Sequence, residues 1–284
     1  MYGNCQAGSI AAVLAKNRAL SRTYRTVYLR SYEHPSEGWQ TLPPGTVEAC
    51  AIVFEQHDPR SFPYGDQLAE GARVIKFPAM DFNLLWPFTI VNPYNPATRA
   101  LPYGRFPYGD RTIVACIDRG MKCEEILDYY LTGWDDYKLD LDHLLLLETA
   151  RLQARDAHCG VKMGTYAIEH FRGERLFWTV NHPTSRALHV LIERLLCAAF
   201  QEGEPERAGD IRPAFSADVS RDPLGEINVP VHPKIAAHFG LEWYDPNERH
   251  AAFAGHAFSY MEYFKTMIEI AIDTKRRGDN LRMP

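Results

Sequence analysis

Long hydrophobic runs are missing from this 284-residue chain. The longest, such as Leu144 to Leu147 and Leu195 to Phe200, stop far short of the ~20 apolar residues a helix needs to span a bilayer. No integral membrane segment is expected, and any membrane contact would be peripheral. No basic stretch followed by an apolar one opens the sequence, so no secretory leader is expected either. An excess of positive charge is also absent. The 31 Lys and Arg face 36 Asp and Glu, a formal net charge of −5. That balance excludes a broad basic field for duplex nucleic acid, though not a local pocket for a phosphorylated cofactor. Cysteines are few and scattered: Cys5, Cys50, Cys116, Cys123, Cys159 and Cys197. None forms a Cys-x-x-Cys pair, and a chain of this length does not need disulfide staples. Cys116, Cys159 and Cys197 sit among small or apolar neighbours and read as buried thiols. A reducing, cytoplasmic location follows. Glycine-rich phosphate loops are missing, as is any His-x-x-x-His pair, so neither a nucleotide-binding fingerprint nor a metal centre is expected.

What is present is 46% apolar content, enough for one large core or two modest ones. No boundary is marked in the chain, which reads as a single α/β domain over residues 1–284. Ile10, Val13 and Leu14 give the apolar face of a first helix. Thr26 to Leu29, Cys50 to Phe54 and Arg73 to Phe77 read as strands, with a Pro- and Gly-rich loop at 33–47. Residues 78–111 are dense in Pro, Tyr, Phe and Gly, too aromatic for disorder, and read as a structured loop region. Beyond Arg111 helical spacing dominates: Ile113 to Ile117, Cys123 to Leu131 and Leu139 to Phe171. Leu176 to Val180 is a short strand, and Ser185 to Phe200 a helix. A charged surface loop is expected at 201–212, a short helix within Pro230 to Trp243, and a long helix from Phe253 to Arg276. The alternation predicts a small, mostly parallel sheet flanked by helices, followed by a helix-rich second half. Only Met1 and Tyr2 precede the first helix. Either the first strand is a stub or the chain starts further upstream.

The strongest chemical signal is Gly3-Asn4-Cys5-Gln6 at the mouth of the first helix. Unpaired backbone N–H groups and the positive end of the helix dipole meet there. A thiolate is favoured at such a place, so the Cys5 pKa is expected to fall toward neutrality. Asn4 and Gln6 add side-chain amides able to donate to an oxyanion, and Gly3 permits close backbone approach. His182, after the apolar run Leu176 to Val180, is expected at the carboxyl end of a sheet strand, where sites form in open α/β sheets. It would serve as general base, with Asn181 beside it. A local turn histidine is the alternative. His57 with Asp58, and His232 before Pro233, read as structural. Tyr108 and Arg111 end the aromatic loop. Arg111 either binds a phosphate or pairs with Asp110, and Lys76 is a second basic candidate. Trp86, Phe88, Tyr103 and Tyr108 either stack on a ligand ring or fill a core.

Taken together, Gly3-Asn4-Cys5-Gln6, Phe77-Pro78 with Trp86-Pro87, Phe106-Pro107-Tyr108-Gly109-Asp110-Arg111, and Arg175-Leu176-Phe177 with Asn181-His182-Pro183-Thr184 resemble the WcbI-type polysaccharide biosynthesis family. The resemblance covers roughly residues 1–200, with an echo in Val231-His232-Pro233 and Gly240-Leu241. It implies acetyl transfer from coenzyme A to a sugar hydroxyl in surface or capsular polysaccharide synthesis. Cys5 and His182 would be catalytic, Asn4, Gln6 and Asn181 would meet the oxyanion or substrate, and Tyr108, Arg111 and Lys76 would meet the cofactor. The partners implied are an acyl donor and a sugar or glycan acceptor. The oligomeric state stays open, a homo-oligomer included. The layout is also similar to SGNH hydrolases, in which an Asp-x-x-His block supplies the base. Here Thr179 stands in the place of that acid, so Asn181 or a distant carboxylate would have to orient the imidazole. An SGNH-like esterase or thioesterase, and a non-catalytic binding protein for coenzyme A or glycan, are the competing readings.

Overall fold

The computed structural model describes residues 1–34, 37–57, 60–96, 104–133, 139–200, 222–253 and 255–278. Four parallel strands form the central sheet: β1 (Tyr2–Gly3), β2 (Leu29–Arg30), β3 (Ile52–His57) and β4 (Arg73–Pro78), in the order β2-β1-β3-β4. The six residues of β3 and β4 pair throughout, from Ile52 with Arg73 to His57 with Pro78. Inner strand β3 is buried from Val53 to Gln56, as expected where both faces of a parallel sheet are covered. The first strand spans two residues, Tyr2 and Gly3.

Helix α1 (Cys5–Lys16) follows β1 at once. Ala7, Ile10, Ala11 and Leu14 are its buried stripe, at i, i+3, i+4 and i+7. A short α2 (Arg18–Ser21) continues it, capped by the Asn17 side chain. Beyond β4, the strands β5 (Thr89–Val91) and β6 (Tyr108–Asp110) form an antiparallel pair within the aromatic region. Then come α3 (Arg111–Asp118), α4 (Cys123–Thr132), α5 (Leu141–Asp156) and α6 (Gly164–His170). The helical stretch expected over Leu139 to Phe171 is thus two helices. Asp156, buried at the end of α5, accepts the Met163 and Gly164 N–H groups at 3.0 and 2.7 Å and so starts α6.

The strands β7 (Phe177–Thr179) and β8 (His182–Pro183) make a tight antiparallel hairpin outside the main sheet, which corrects the expectation of a sheet strand ending at His182. Helix α7 (Ser185–Ala199) returns against β4 and α1, burying Leu188, Leu191, Ile192, Leu195 and Leu196. At roughly 1.5–3 kcal/mol per buried aliphatic side chain, this face is one of the main ties of the sheet layer. Helix α8 (Pro233–Phe239) follows. A hairpin, β9 (His250–Phe253) and β10 (His256–Phe258), precedes α9 (Tyr260–Arg277). The last helix therefore starts seven residues later than Phe253, where Ser259 and Glu262 form a capping box.

Buried side chains fall into two clusters. One surrounds the sheet, α1, α5, α6, α7 and α8. The other joins α3, α4 and α9 around Phe106 and Tyr263. Cys116 and Cys159 are buried as expected, but Cys197 is exposed, because it falls on the outer side of α7. Among the described residues no helix is long and apolar enough to cross a membrane. The expected loop at 201–212, Asp58 and Tyr103 lie outside the described residues.

Candidate functional site

Parallel pairing brings the carboxyl ends of β1, β3 and β4 to one edge. The residues at or just past these ends, Asn4, His57 and Ala79 to Asp81, line an open cleft of about 590 Å³ together with Gln6, Ala154, Arg155, His158 and Asn181. This is the edge at which ligands enter open α/β sheets.

Two of the lining residues, Asn4 and Gln6, are held by a third carboxamide, Gln56, beneath them. Gly3 allows it: a Cβ there would lie 2.5 Å from Gln56 Oε1 and 2.8 Å from Ala7 Cβ. Gln56, fully buried, accepts the Asn4 N–H at 2.8 Å and donates to Gln6 Oε1 at 3.1 Å. Gln6 is 1% exposed. It donates to Met80 O at 2.6 Å and to Asn181 O at 2.8 Å, and its oxygen also accepts the Met80 N–H at 2.9 Å. Gln6 therefore ties the start of α1 to the exit of β4 and to the tip of the β7–β8 hairpin. Both of its amide hydrogens are engaged in that tie, so it has none left for an oxyanion.

Asn4 and Asn181 differ from Gln6 in this respect. Asn4 caps α1, its Oδ1 accepting the Gln6 N–H at 2.9 Å. Asn181 Oδ1 accepts from Tyr108 Oη at 2.6 Å and from Thr179 Oγ1 at 3.2 Å. Both residues line the cleft, and each is held by hydrogen bonds to its side-chain oxygen. Two fixed amide donors beside a helix N-terminus are the elements from which an oxyanion site is made.

Cys5 is the first residue of α1 and is half-buried at the edge of the sheet core. Burial raises its pKa above the ordinary thiol value, outweighing the opposing effect of the Gln6 and Cys5 N–H groups. The expectation of a depressed pKa is corrected on that ground: desolvation of the thiolate is larger than the helix-terminal stabilisation. The thiol is neutral at ordinary pH and needs a base to react.

His182 is half-buried in β8. Burial lowers its pKa, against the opposing influence of the Leu224 backbone and the Asp222 carboxylate. Its Nδ1 is buried near Leu224 without a well-formed hydrogen bond. Its Nε2 lies 3.2 Å from the Tyr108 hydroxyl, and the two rings meet edge to face at 5.8 Å. No hydrogen bond among the described residues joins Asp222 to the imidazole; its charge only opposes the larger effect of burial. Its Oδ2 accepts the Ser185 N–H at 2.8 Å, at the start of α7. No spacing pattern marks Asp222 in the sequence, since its partners lie about 40 residues upstream. Asn181 does not bond to the imidazole; its oxygen serves Tyr108 and Thr179. The described hydrogen bonds include none directly between Cys5 and His182.

The other candidates fall elsewhere. Arg111 is exposed at the first turn of α3, over the Phe88 ring, with its guanidinium 3.5 Å from Pro87 O. Asp110 turns inward to cap α3 through Thr112 and Ile113. Lys76 lies 3.9 Å from its cross-strand neighbour Glu55. Neither basic residue lines the cleft; Arg155 does, donating to Ala79 O at 2.6 Å and pairing with Asp81 at 2.9 Å. His57 stacks on His158 at 5.2 Å on the rim. His232 caps α8 through Lys234 N–H at 3.2 Å, a structural role. Trp86 is buried, its Nε1 donating to Val229 O and Pro230 O, and with Phe88 and Tyr108 it lines a narrow crevice between the two clusters.

A family model described as "Polysaccharide biosynthesis enzyme WcbI" matches residues 1–201. A solved structure is similar over 99% of this chain and 94% of its own, with a TM-score of 0.72 and 17% sequence identity. It is described as WcbI, a novel polysaccharide biosynthesis enzyme, in its native form without a disulfide bond between coenzyme A and one of its cysteines. At that identity the likeness speaks for the fold. No curated protein matches the chain.

Proposed function

Because the chain belongs to the WcbI polysaccharide biosynthesis family, we propose that it transfers an acyl group, acetyl in the first instance, from coenzyme A to a sugar hydroxyl, with Cys5 and His182 in the active site. The observation that supports this reading is the cleft at the carboxyl edge of the sheet, lined by Asn4, Gln6, Asn181 and Arg155 at the mouth of the helix that Cys5 begins.

The residues fit the cofactor. Coenzyme A when bound supplies an activated thioester. Asn4 and Asn181 offer donors to a thioester carbonyl, and Arg155 with His57 and His158 offers polar partners to the remainder of the molecule. Of the three basic residues Arg155, Arg111 and Lys76, Arg155 is the one that lines the cleft. His182 is neutral at physiological pH because burial disfavours its charged form, so it is available to accept a proton. Asn4 and Asn181 stabilise negative charge as it develops on the attacked carbonyl, and their fixed oxygens mean that little reorganisation is needed. Six free thiols and no disulfide among the described residues support a reducing cytoplasm as the place of reaction.

The test is calorimetric titration with coenzyme A, acetyl-CoA and nucleotide sugars, followed by turnover with each sugar that binds. Acetylated sugar formed by wild type but not by Cys5→Ala or His182→Gln supports transfer. Release of free acetate without any acceptor identifies a hydrolase instead, and failure to bind any coenzyme A species removes the proposal.

A further inference from the structure

Gly8 stands inside α1, where glycine is less favourable than alanine. The Tyr28 ring gives a reason for it. A Cβ on Gly8 would lie 3.1 Å from Tyr28 Cε1 and Cζ, so only a bare backbone lets the ring lie across that turn. The close approach brings the Tyr28 hydroxyl to the two carbonyls that precede Cys5, Asn4 O at 2.9 Å and Gly3 O at 3.2 Å. Tyr28 is itself anchored at the edge of the sheet, its carbonyl accepting from Gln40 Nε2 at 2.9 Å. Asn4 O also accepts the Gly8 N–H at 3.1 Å. On the other side, Gln56 Oε1 accepts the Asn4 N–H at 2.8 Å. The peptide units on both sides of Asn4 are therefore held. The second of them, Asn4–Cys5, carries the N–H of Cys5 itself. No carbonyl within α1 can accept that N–H, because it belongs to the first turn. Together with the Gln6 N–H it acts on the Cys5 sulfur.

We propose that Tyr28 is a positioning residue for Cys5: its hydroxyl, bonded to Asn4 O, fixes and polarises the Asn4–Cys5 peptide, so that the Cys5 N–H is a stronger donor to the sulfur beside it. The proposal rests on the reading of Cys5 as the reacting sulfur. A peptide whose carbonyl accepts a hydrogen bond donates more strongly from its N–H, because linked hydrogen bonds polarise one another. The gain is larger for a thiolate than for a thiol, since an ionised acceptor makes the stronger bond. Tyr28 thus favours the reactive form of Cys5 without touching a substrate. Its own hydroxyl stays neutral, because burial, and then the neighbouring Tyr32 hydroxyl, hold its pKa well above the ordinary phenol value. The other titratable or charged groups that face this pair are Tyr32 and Arg30 near Tyr28, and Tyr108 of β6 near Cys5.

The experiment is the pH profile of Cys5 alkylation by iodoacetamide, followed on the Cys5 peptide by mass spectrometry in the full-length protein. Tyr28→Phe keeps the ring against Gly8 and removes only the hydroxyl. Its inflection should move upward, so that alkylation near pH 7.5 slows by roughly twofold to fivefold, the worth of one hydrogen bond. The limiting rate at high pH, where the sulfur is fully ionised, should match wild type. Tyr32→Phe leaves the bond to Asn4 in place and should keep the wild-type profile. Circular dichroism melts of both variants establish that folded proteins are compared. A packing role alone would loosen the helix mouth and speed alkylation at every pH with the inflection unmoved. An unmoved inflection in Tyr28→Phe overturns the proposal, and so does an equal shift in Tyr32→Phe. Alkylation reads the ionisation of the sulfur and not acyl transfer. A shifted profile in a protein that never turns over acetyl-CoA would sink the acyl-transfer reading and leave the role of Tyr28 standing; turnover with an unshifted profile would do the reverse.

Discussion

Replacing Gln6 with Met should damage this protein more than any other single side-chain change near the cleft. The volumes are similar, so packing is nearly conserved. What changes is hydrogen bonding. Gln6 makes four bonds: to Met80 O, Asn181 O, Met80 N–H and Gln56 Nε2, at 2.6, 2.8, 2.9 and 3.1 Å. Methionine leaves all four partners unsatisfied, at about 1–3 kcal/mol for each buried group. The bonds to Met80 and Gln56 are buried, whereas that to Asn181 is at the cleft margin, where water can replace it. Taking about 1 kcal/mol for each of the buried three and less for the fourth gives about 3–4 kcal/mol. At about 2 °C per kcal/mol for a chain of this size, the melting temperature should fall by about 6–8 °C. Urea denaturation and thermal melting by circular dichroism measure both quantities. Because the tie also holds the hairpin tip that carries Asn181 and His182, turnover should fall more than the folded fraction does. A loss under 1 kcal/mol would mean that the Gln6 tie does not hold the hairpin against α1, and the account of how the site is assembled would fail.

Gly3→Ala should destabilise by about 1–3 kcal/mol, the cost of overpacking, because its methyl meets Gln56 and Ala7 at under 3 Å; an unchanged melting temperature would contradict the close approach. Asn4→Ala and Asn181→Ala should each lower kcat by roughly 10- to 100-fold with smaller changes in KM, and Asn4→Ala should also cost about 1 kcal/mol of stability from the lost cap. An unchanged kcat in both variants would remove the oxyanion assignment. Acid should unfold the protein through His232 and His250, whose pKa values burial lowers to about 4 from 6.5. Folding keeps them neutral while the unfolded chain protonates them, so their contribution is complete above pH 6.5 and is lost as pH falls from 6.5 toward 4, about 2–3 kcal/mol each. Urea midpoints that stay flat across that window would refute it. Arg111→Ala should leave coenzyme A affinity as it was and Arg155→Ala should weaken it, in calorimetric titrations of the two variants; the reverse order would return the phosphate anchor to α3.

The sheet was legible in the sequence because its strands are short apolar blocks, and the observed β3 and β4 lie within two residues of the expected ones at their starts. The helix stripes of α1 and α7 were legible for the same reason, as fixed spacing on one face. Other features depended on tertiary contacts that no local pattern records. The break between α5 and α6 is set by the Asp156 carboxylate, and the α9 start by a capping box behind a hairpin. Of the tetrapeptide Gly3 to Gln6 and the pair Asn181-His182, the structure brings Asn4, Gln6 and Asn181 to one cleft. Their individual roles were not legible. Gln6 differs from Asn4 only by a methylene, yet the longer side chain reaches Met80 and Asn181 and becomes a brace. The direction of the Cys5 pKa shift depends on how much of the chain covers the helix mouth, which the first turn alone does not reveal. Asp222 was invisible because its nearness to His182 exists only in three dimensions.

The most direct measurement of the central claim is disulfide capture by oxidised coenzyme A, with each cysteine peptide quantified by mass spectrometry. Cys197 is the exposed thiol and Cys5 a half-buried one, so unguided chemistry favours Cys197. If the cleft seats coenzyme A with its sulfur beside α1, the adduct forms on Cys5 first, and excess adenosine 3′,5′-bisphosphate suppresses it. Modification of Cys197 with Cys5 left untouched would contradict the account.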